Sequence, residues 1–245
     1  MASDGRPPRL AVLIDAENAP ASIADGLFEE IATIGEASVR RIYGDFTKPD
    51  LRGWSGVLAR LAIIPRQQFA YTVGKNASDI ALVIDAMTLL YGGHVDGFCL
   101  VSSDSDFTRL AAEIRERGLT VYGFGAQKTP ESLRNACHRF IYLENLGLGA
   151  EEKPGPGQVK AAPSRQSPTK AVPLINTAIS QLDPENGWVN LGAVGSQLGN
   201  LKSDFDPRTY GEKKLSDLVR KTGAYDVEQG EGKSLRIRPK AKRKA

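Results

Sequence analysis

Five aspartates lie far apart along the 245-residue chain at points that repeat one another in kind. Asp15 closes "LAVLID", Asp45 closes "RRIYGD", and Asp104 closes "FCLVSSD", with Asp106 two residues later. Asp79 falls in the first turn of a helical pattern that begins near Ala77. Carboxylates brought together in this way could hold a divalent cation, orient a water and stabilise charge developing on a phosphoryl oxygen, which is phosphodiesterase chemistry. Other routes are thinly supplied. His94 and His138 are the only histidines, which argues against a histidine-rich zinc site and weakens any Ser-His-Asp triad. If the protein hydrolyses anything, carboxylates must do the work.

The elements that would position these acids are legible between about Pro20 and Leu146. Strand-like runs "LAVLID", "ASVRRIYGD", "IIPRQQFAY", "GFCLVSSD" and "LTVYGFG" alternate with helical patterns "PASIADGLFEEIATIG", "ASDIALVIDAMTLLYGG" and "DFTRLAAEIRERG". Pro20 and Pro130 stand where helices should start, Gly35 and Gly118 where they should stop. Such alternation predicts an α/β fold: a central parallel sheet covered by helices on both faces. In a parallel sheet the C-terminal ends of all strands share one edge, and the crossover helices begin there. Asp15, Asp45, Asp79, Asp104 and Asp106 therefore converge on that edge, joined by Asn18 and Glu17.

Like charges about 5 Å apart repel by roughly 3 kcal/mol per pair at an effective dielectric near 20. A helix N-terminus returns only about 0.3 to 1 kcal/mol per anion. The cluster therefore calls for protonation or for a hard cation, and oxygen ligands suit Mg2+ or Mn2+.

Each acid also has a plainer reading. Asp15 could cap, Asp45 could open a turn before Pro49, and Asp79 could favour its own helix dipole. Asp104 and Asp106 cannot both cap one helix in the same way. Asp85, further along the helix of Asp79, reads as structural. Lys75 and Asn76 either contact phosphate or form the turn into that helix, and Ser103 stands with Asn18 among the candidate substrate contacts.

The rest of the chain sets the context. Hydrophobic residues make up 41% and charged residues 25%, ordinary for one or two packed domains. No apolar run approaches the roughly 20 residues of a membrane span, and "MASDGRPPRL" lacks the apolar core of a signal peptide, so a cytoplasmic location is expected. Cys99 and Cys137 form neither a CxxC pair nor a disulfide framework and read as buried reduced thiols. From 151 to 170, "EEKPGPGQVKAAPSRQSPTK" has almost no large apolar residue and reads as a flexible linker between a domain over 1–150 and another over 171–245. The second segment shows three helical patterns followed by two short strands around a Gly-rich turn, the pattern of a small winged helix-turn-helix domain. Net charge is +3 with an isoelectric point near 8.8, and "KSLRIRPKAKRKA" carries no acid, which suits phosphate contact or a solvated tail.

Taken together, "LAVLIDAENAP", "KNASDIALVIDAM" and "LVSSDSDF" resemble the NYN domain of the PIN-like nuclease superfamily, in particular its LabA-type bacterial relatives, over about Leu10 to Leu146. The resemblance implies a PIN-like three-layer α/β/α fold and a metal-dependent ribonuclease. It implies that Asp15, Asp79 and Asp104 match metal-binding carboxylates, Asn18 the asparagine after the first strand, and Asp106 the second acid of the last motif. Asp45 matches less closely. "DPENGWVNLGAVGSQLGNLKSDFDPRTYGEKKLSDLVRKTGAYDVE" resembles the OST-HTH or LOTUS domain, which implies binding of RNA or of a protein partner. Within it, Trp188, Phe205 and Tyr210 read as core aromatics. Lys213, Lys214, Arg220 and Lys221 form either a phosphate-facing stripe or a solvated helix face, and Arg208 either contacts nucleic acid or packs locally.

The leading expectation is an Mg2+- or Mn2+-dependent endoribonuclease whose second domain tethers RNA. A noncatalytic RNA-binding adaptor and self-association stand beside it. A doubly wound phosphatase would want an Asp general acid two residues after Asp15, where the chain has Glu17.

Overall fold

Strand β1, Arg9–Asp15, is buried at six successive positions from Leu10 onward, as a strand covered on both faces must be. Alternation divides its side chains between two layers. Leu10, Val12 and Ile14 pack with helices α1 (Ala24–Ile34) and α2 (Arg52–Leu58). Ala11 and Leu13 pack with α3 (Ala77–Gly92), α4 (Thr108–Glu116) and α5 (Glu131–Ala136). The computed structural model describes residues 5–69, 77–146, 165–230 and 234–240, and the chain divides into two units, Met1–Ala150 and Glu151–Ala245.

In the first unit, β2 (Glu36–Gly44), β3 (Ile64–Gln67), β4 (Gly97–Val101), β5 (Thr120–Gly125) and β6 (Arg139–Tyr142) join β1 in one parallel sheet, in the order β3-β2-β1-β4-β5-β6. The winding reverses at β1, which has β2 on one side and β4 on the other. That is the switch point where crevices open in doubly wound sheets.

Three features depart from the sequence reading. The sheet has a sixth strand, β6, whose four residues are too few to show a period, although Phe140, Ile141 and Tyr142 are all buried. Helix α2 also escaped the periodicity; it is held by Trp54, whose buried indole Nε1 donates to the Ala19 carbonyl at 3.1 Å. Strand β3 is shorter than "IIPRQQFAY" and lies at the sheet edge, where Pro65 is tolerated. Three helical runs of this unit begin with a 3-10 turn, Ala21–Ile23 before α1, Pro49–Leu51 before α2 and Ser105–Phe107 before α4. Cys99 and Cys137 are free and buried; burial raises both thiols, that of Cys137 to about 12.

In the second unit, the 3-10 turn Pro168–Ala171 leads into α6 (Val172–Ser180), followed by β7 (Val189–Asn190), α7 (Leu191–Leu201) and α8 (Leu215–Thr222). Strands β8 (Tyr225–Gln229) and β9 (Leu235–Pro239) close it in an antiparallel sheet of order β7-β9-β8. Ile175, Val194, Leu198, Leu218 and Ile237 form its core. This is three helices with a strand hairpin, the winged helix-turn-helix arrangement. Tyr210 lies in the core and Phe205 packs against it. Trp188 does not: it is half-buried outside the core cluster, with the Arg238 guanidinium 4.5 Å from its ring. The cause is a tight turn, because Asn186 and Gly187 both take positive φ and pair Glu185 with Trp188, which lifts the indole to the surface. Among the described residues, no helix is long and apolar enough to cross a membrane.

Candidate active site

Asp15 ends β1 in register with Tyr43 of β2 and is 1% exposed. A buried carboxylate must be satisfied by donors, and three are supplied. Oδ1 accepts from the Glu17 N–H at 3.0 Å; Oδ2 accepts from Asn18 Nδ2 at 2.8 Å and from Ser102 Oγ at 2.7 Å. Burial pushes the Asp15 carboxyl up, and the hydrogen bonds from Ser102 and Asn18 pull it back toward the ionised form.

Ser102 ties β1 to the motif after β4. Its Oγ donates to Asp15 and accepts from the Asp104 N–H at 3.0 Å, while Asp104 Oδ1 accepts from the Asp106 N–H at 2.9 Å. Asp104 is therefore the N-cap of the 3-10 turn that opens α4, and Asp106 lies exposed in that turn. Capping occupies one oxygen of Asp104 and leaves its charge in place. Close packing keeps this corner in shape: a Cβ on Gly125 would stand 2.7 Å from the Ser102 carbonyl oxygen.

Asp79, in the first turn of α3, completes the group. Burial first, and then the charges of Asp15, Asp104, Glu17 and Asp106, raise its carboxyl from 3.8 to about 6. The four principal acids of the sequence reading thus stand within electrostatic reach of one another at the switch point. Glu17 is also ion-paired to Lys48 at 2.6 Å, which puts a cation at the margin of the group.

The remaining candidates divide. Asp45 follows β2, and its Oδ1 accepts from Thr47 Oγ1 at 2.6 Å and from Gln67 Nε2 at the end of β3 at 2.8 Å. Ser103 is buried, and its Oγ accepts from the Ala126 N–H at 2.8 Å, tying the end of β4 to the loop after β5. Asn18 orients Asp15. Lys75 and Asn76 lie outside the described residues. Asp85 is structural: it accepts from Arg41 at 2.9 Å and Tyr43 at 2.8 Å, with Arg66 at 3.4 Å, pinning α3 to β2 and β3. In the second unit, Arg208 is chelated by Asp206, with Nη2 to Oδ2 at 2.6 Å. Lys221 pairs with Glu212 at 2.5 Å and Arg220 with Asp217 at 3.8 Å, whereas Lys213 and Lys214 are exposed just before α8.

Sequence reasoning missed Ser102 and Lys48. The signal for Ser102 was available, because of the adjacent serines Ser102 and Ser103 only one can face β1. Lys48 lies in a loop whose path no periodicity specifies.

The fit to a hard cation can be judged from these donors. Among the described residues, no three His, Cys, Asp or Glu side chains close on a common point that could hold a metal ion. Magnesium seldom uses an all-protein cage; it binds through one or two carboxylates and keeps waters or phosphates as its other ligands. A donor set made of carboxylates, with Asp79 raised to about 6 by burial and then by its acidic neighbours, suits that mode.

The NYN domain family matches residues 9–144, and the OST-HTH/LOTUS domain matches residues 163–237. No curated protein matches the chain. Among solved structures, a Vibrio parahaemolyticus protein of unknown function is 22% identical, with 58% of this chain and 96% of that chain covered and a TM-score of 0.48. An uncharacterized Nitrosomonas europaea protein is 34% identical over 39% of this chain and 96% of its own, with a TM-score of 0.29. The WlbA dehydrogenase from Bordetella pertussis is 16% identical over 72% of this chain and 40% of its own, with a TM-score of 0.33. At these TM-scores none carries an argument about function. The two domain matches coincide with the two units of the fold, and the first spans more than half of the sequence: the chain belongs to the NYN domain family and carries a C-terminal OST-HTH/LOTUS domain.

Proposed function

We propose that the protein is a cytoplasmic, Mg2+- or Mn2+-dependent endoribonuclease whose C-terminal domain captures RNA. The observation that carries this reading is the convergence of Asp15, Asp79, Asp104 and Asp106 at the switch point, with Asp79 raised to about 6 by burial and by its acidic neighbours. A cation bound there would polarise a phosphoryl oxygen and activate water at neutral pH. The protein's own residues do the rest. Asp79 and Asp104 would hold the cation. Asp15, fixed by Ser102 and Asn18, sets the charge and geometry of the corner, and exposed Asp106 orients the attacking water. Lys213 and Lys214 supply phosphate contacts in the second domain. The sequence between the two domains, about 20 residues, is short enough that an effective concentration of order mM would let a weak RNA-binding domain deliver substrate to the other.

A second reading is an RNA-binding adaptor that does not cut. The OST-HTH/LOTUS match over residues 163–237 supports RNA binding whether or not the first domain cuts.

One experiment separates the two. Labelled single-stranded and hairpin RNA is incubated with the protein in Mg2+, Mn2+ or chelator, beside Asp104→Asn. Asparagine still caps the turn but removes the charge, so the fold is spared. The nuclease reading expects cleavage that chelator abolishes and that the variant loses by at least about 100-fold, the equivalent of a few kcal/mol of transition-state stabilisation. RNA bound but never cut would leave the adaptor.

A further inference from the structure

The turn that lifts Trp188 out of the core of the second unit places it on a surface with a definite construction. Strands β7 and β9 pair Val189 with Ile237 and Asn190 with Arg236. Alternation therefore sends Val189 and Ile237, both buried, into the core and sets Asn190 and Arg236 on the other face, where Arg238 lies 4.5 Å over the Trp188 ring. Arg238 also pairs with Asp226 at 3.1 Å, so the indole is braced from one side. Beside it opens a cavity of about 320 Å³, with Trp188 and Ala193 as apolar walls and Asp183, Glu185, Asn190 and Arg236 as polar ones. Those polar groups are available. Asp183 and Glu185 are exposed and form no ion pair among the described residues. Asn190 uses Oδ1 on the N–H groups of Gly192 and Ala193, which leaves its Nδ2 to donate. Arg236 is held loosely: Glu228 Oε1 is 3.9 Å from its Nε, and that buried N–H meets no hydrogen-bond acceptor among the described residues.

We propose that this cavity receives one unpaired nucleobase of a single-stranded RNA, stacked on Trp188. The inference rests on RNA capture by the second domain, proposed above, and adds the place where a base, as distinct from a phosphate, is held. The lining selects the occupant. A phosphate or a carboxylate would meet Asp183 and Glu185. A lysine or arginine side chain of a protein partner would meet Arg236. A neutral flat ring whose edge carries both N–H donors and carbonyl or ring-nitrogen acceptors suits every group present: its donors face the two carboxylates, its acceptors face Arg236 and Asn190, and its face lies on the indole. Unpaired bases are recognised in this way, by stacking on an aromatic side chain and by hydrogen bonds along their edges. The size agrees, since 320 Å³ lies at the small end of ligand pockets, about 300 to 1,000 Å³.

The test titrates the full chain, in chelator so that no metal-dependent cutting intervenes, with labelled single-stranded RNA and with an abasic oligonucleotide of the same length. Anisotropy of the label gives affinity, and tryptophan fluorescence reports stacking. The chain has two tryptophans, of which Trp54 is buried in the first unit. The proposal expects RNA to quench wild type, and the abasic strand to bind more weakly without quenching. Trp188→Ala and Ala193→Phe should each weaken RNA binding roughly 5- to 150-fold, the range of one stacked base. The slope of log affinity against log salt should stay as it is, because no phosphate contact is removed. Trp188→Phe should abolish the quenching and hold affinity within a few-fold of wild type. Ala193 is exposed on α7, so its phenylalanine fills the cavity without entering the core and decides the matter if Trp188→Ala fails to fold. RNA bound without quenching, and with both variants at wild-type affinity, overturns the pocket and leaves RNA capture standing; a wild type that binds no RNA overturns both. Quenching by a lysine-rich peptide and not by RNA would assign the cavity to a protein side chain and overturn the proposal too.

Discussion

The two domains handle charge in opposite ways. At the switch point of the first, Asp15, Asp79, Asp104, Asp106 and Glu17 are gathered, and burial first, then the charges of its acidic neighbours, raise Asp79 to about 6. On the second, several of the described cations are matched: Arg208 by Asp206, Lys221 by Glu212, Arg220 by Asp217, Arg238 by Asp226 and Arg236 by Glu228. Like charges held together repel until protonation or a cation relieves them, which is what supports the cation-binding reading proposed above. Matched charges on an open surface contribute little to either stability or attraction. On the reading proposed above, the first domain supplies the cation site, and the second meets phosphate through exposed cations such as Lys213 and Lys214.

That contrast can be broken at three points. The largest effect is expected at Ser102, which holds the buried Asp15 and the turn of Asp104 together. Ser102→Ala leaves a buried carboxylate short of one donor and should cost about 1 to 3 kcal/mol. Urea unfolding at neutral pH reads it, and a cost below a few tenths would mean that Asp15 does not depend on this bond.

Next is Asp79. Its carboxyl is raised in the folded chain, so the native state holds that proton more tightly than the unfolded one. The strain is absent below about pH 4, grows as pH rises toward about 6, and is fully present above it. Asp79→Asn should therefore stabilise the metal-free protein at pH 7, and not at pH 4. The gain should be of order 1 kcal/mol once screening of this part-exposed group is allowed for. Added Mg2+ should narrow the difference by stabilising wild type more than the variant. Thermal melts at the two pH values, with and without Mg2+, check it; a variant less stable at pH 7 would contradict the strained-cluster picture.

The smallest effect is expected on the second domain. Lys213→Ala and Lys214→Ala should each lower the slope of log affinity for RNA against log salt by about 0.7 to 1, whereas Lys221→Ala, whose ammonium is engaged by Glu212, should lower it less. Equal slopes for all three would show that the ion pair opens on RNA.

The sequence by itself determined the type of fold and the corner residues. Period-two and helical patterns, Pro and Gly boundaries and strand-end aspartates follow from local geometry, so β1, α1, α3, β4 and α4 were all legible, and with them Asp15, Asp79, Asp104 and Asp106. Buried β6 and the Trp54 helix were not, since four to seven residues carry too little periodicity. Only the tertiary structure decided which strands are neighbours. The order β3-β2-β1-β4-β5-β6 sets β1 beside β4, and that adjacency makes Ser102 the link between Asp15 and Asp104, while the pairing of β2 with β3 brings Gln67 to Asp45. It also decided which cations have partners, and that Trp188 stands outside its core. The physical reason is the same throughout. Local backbone preference acts within a few residues, whereas charge, burial and hydrogen bonding act across whatever the packing brings within a few ångströms.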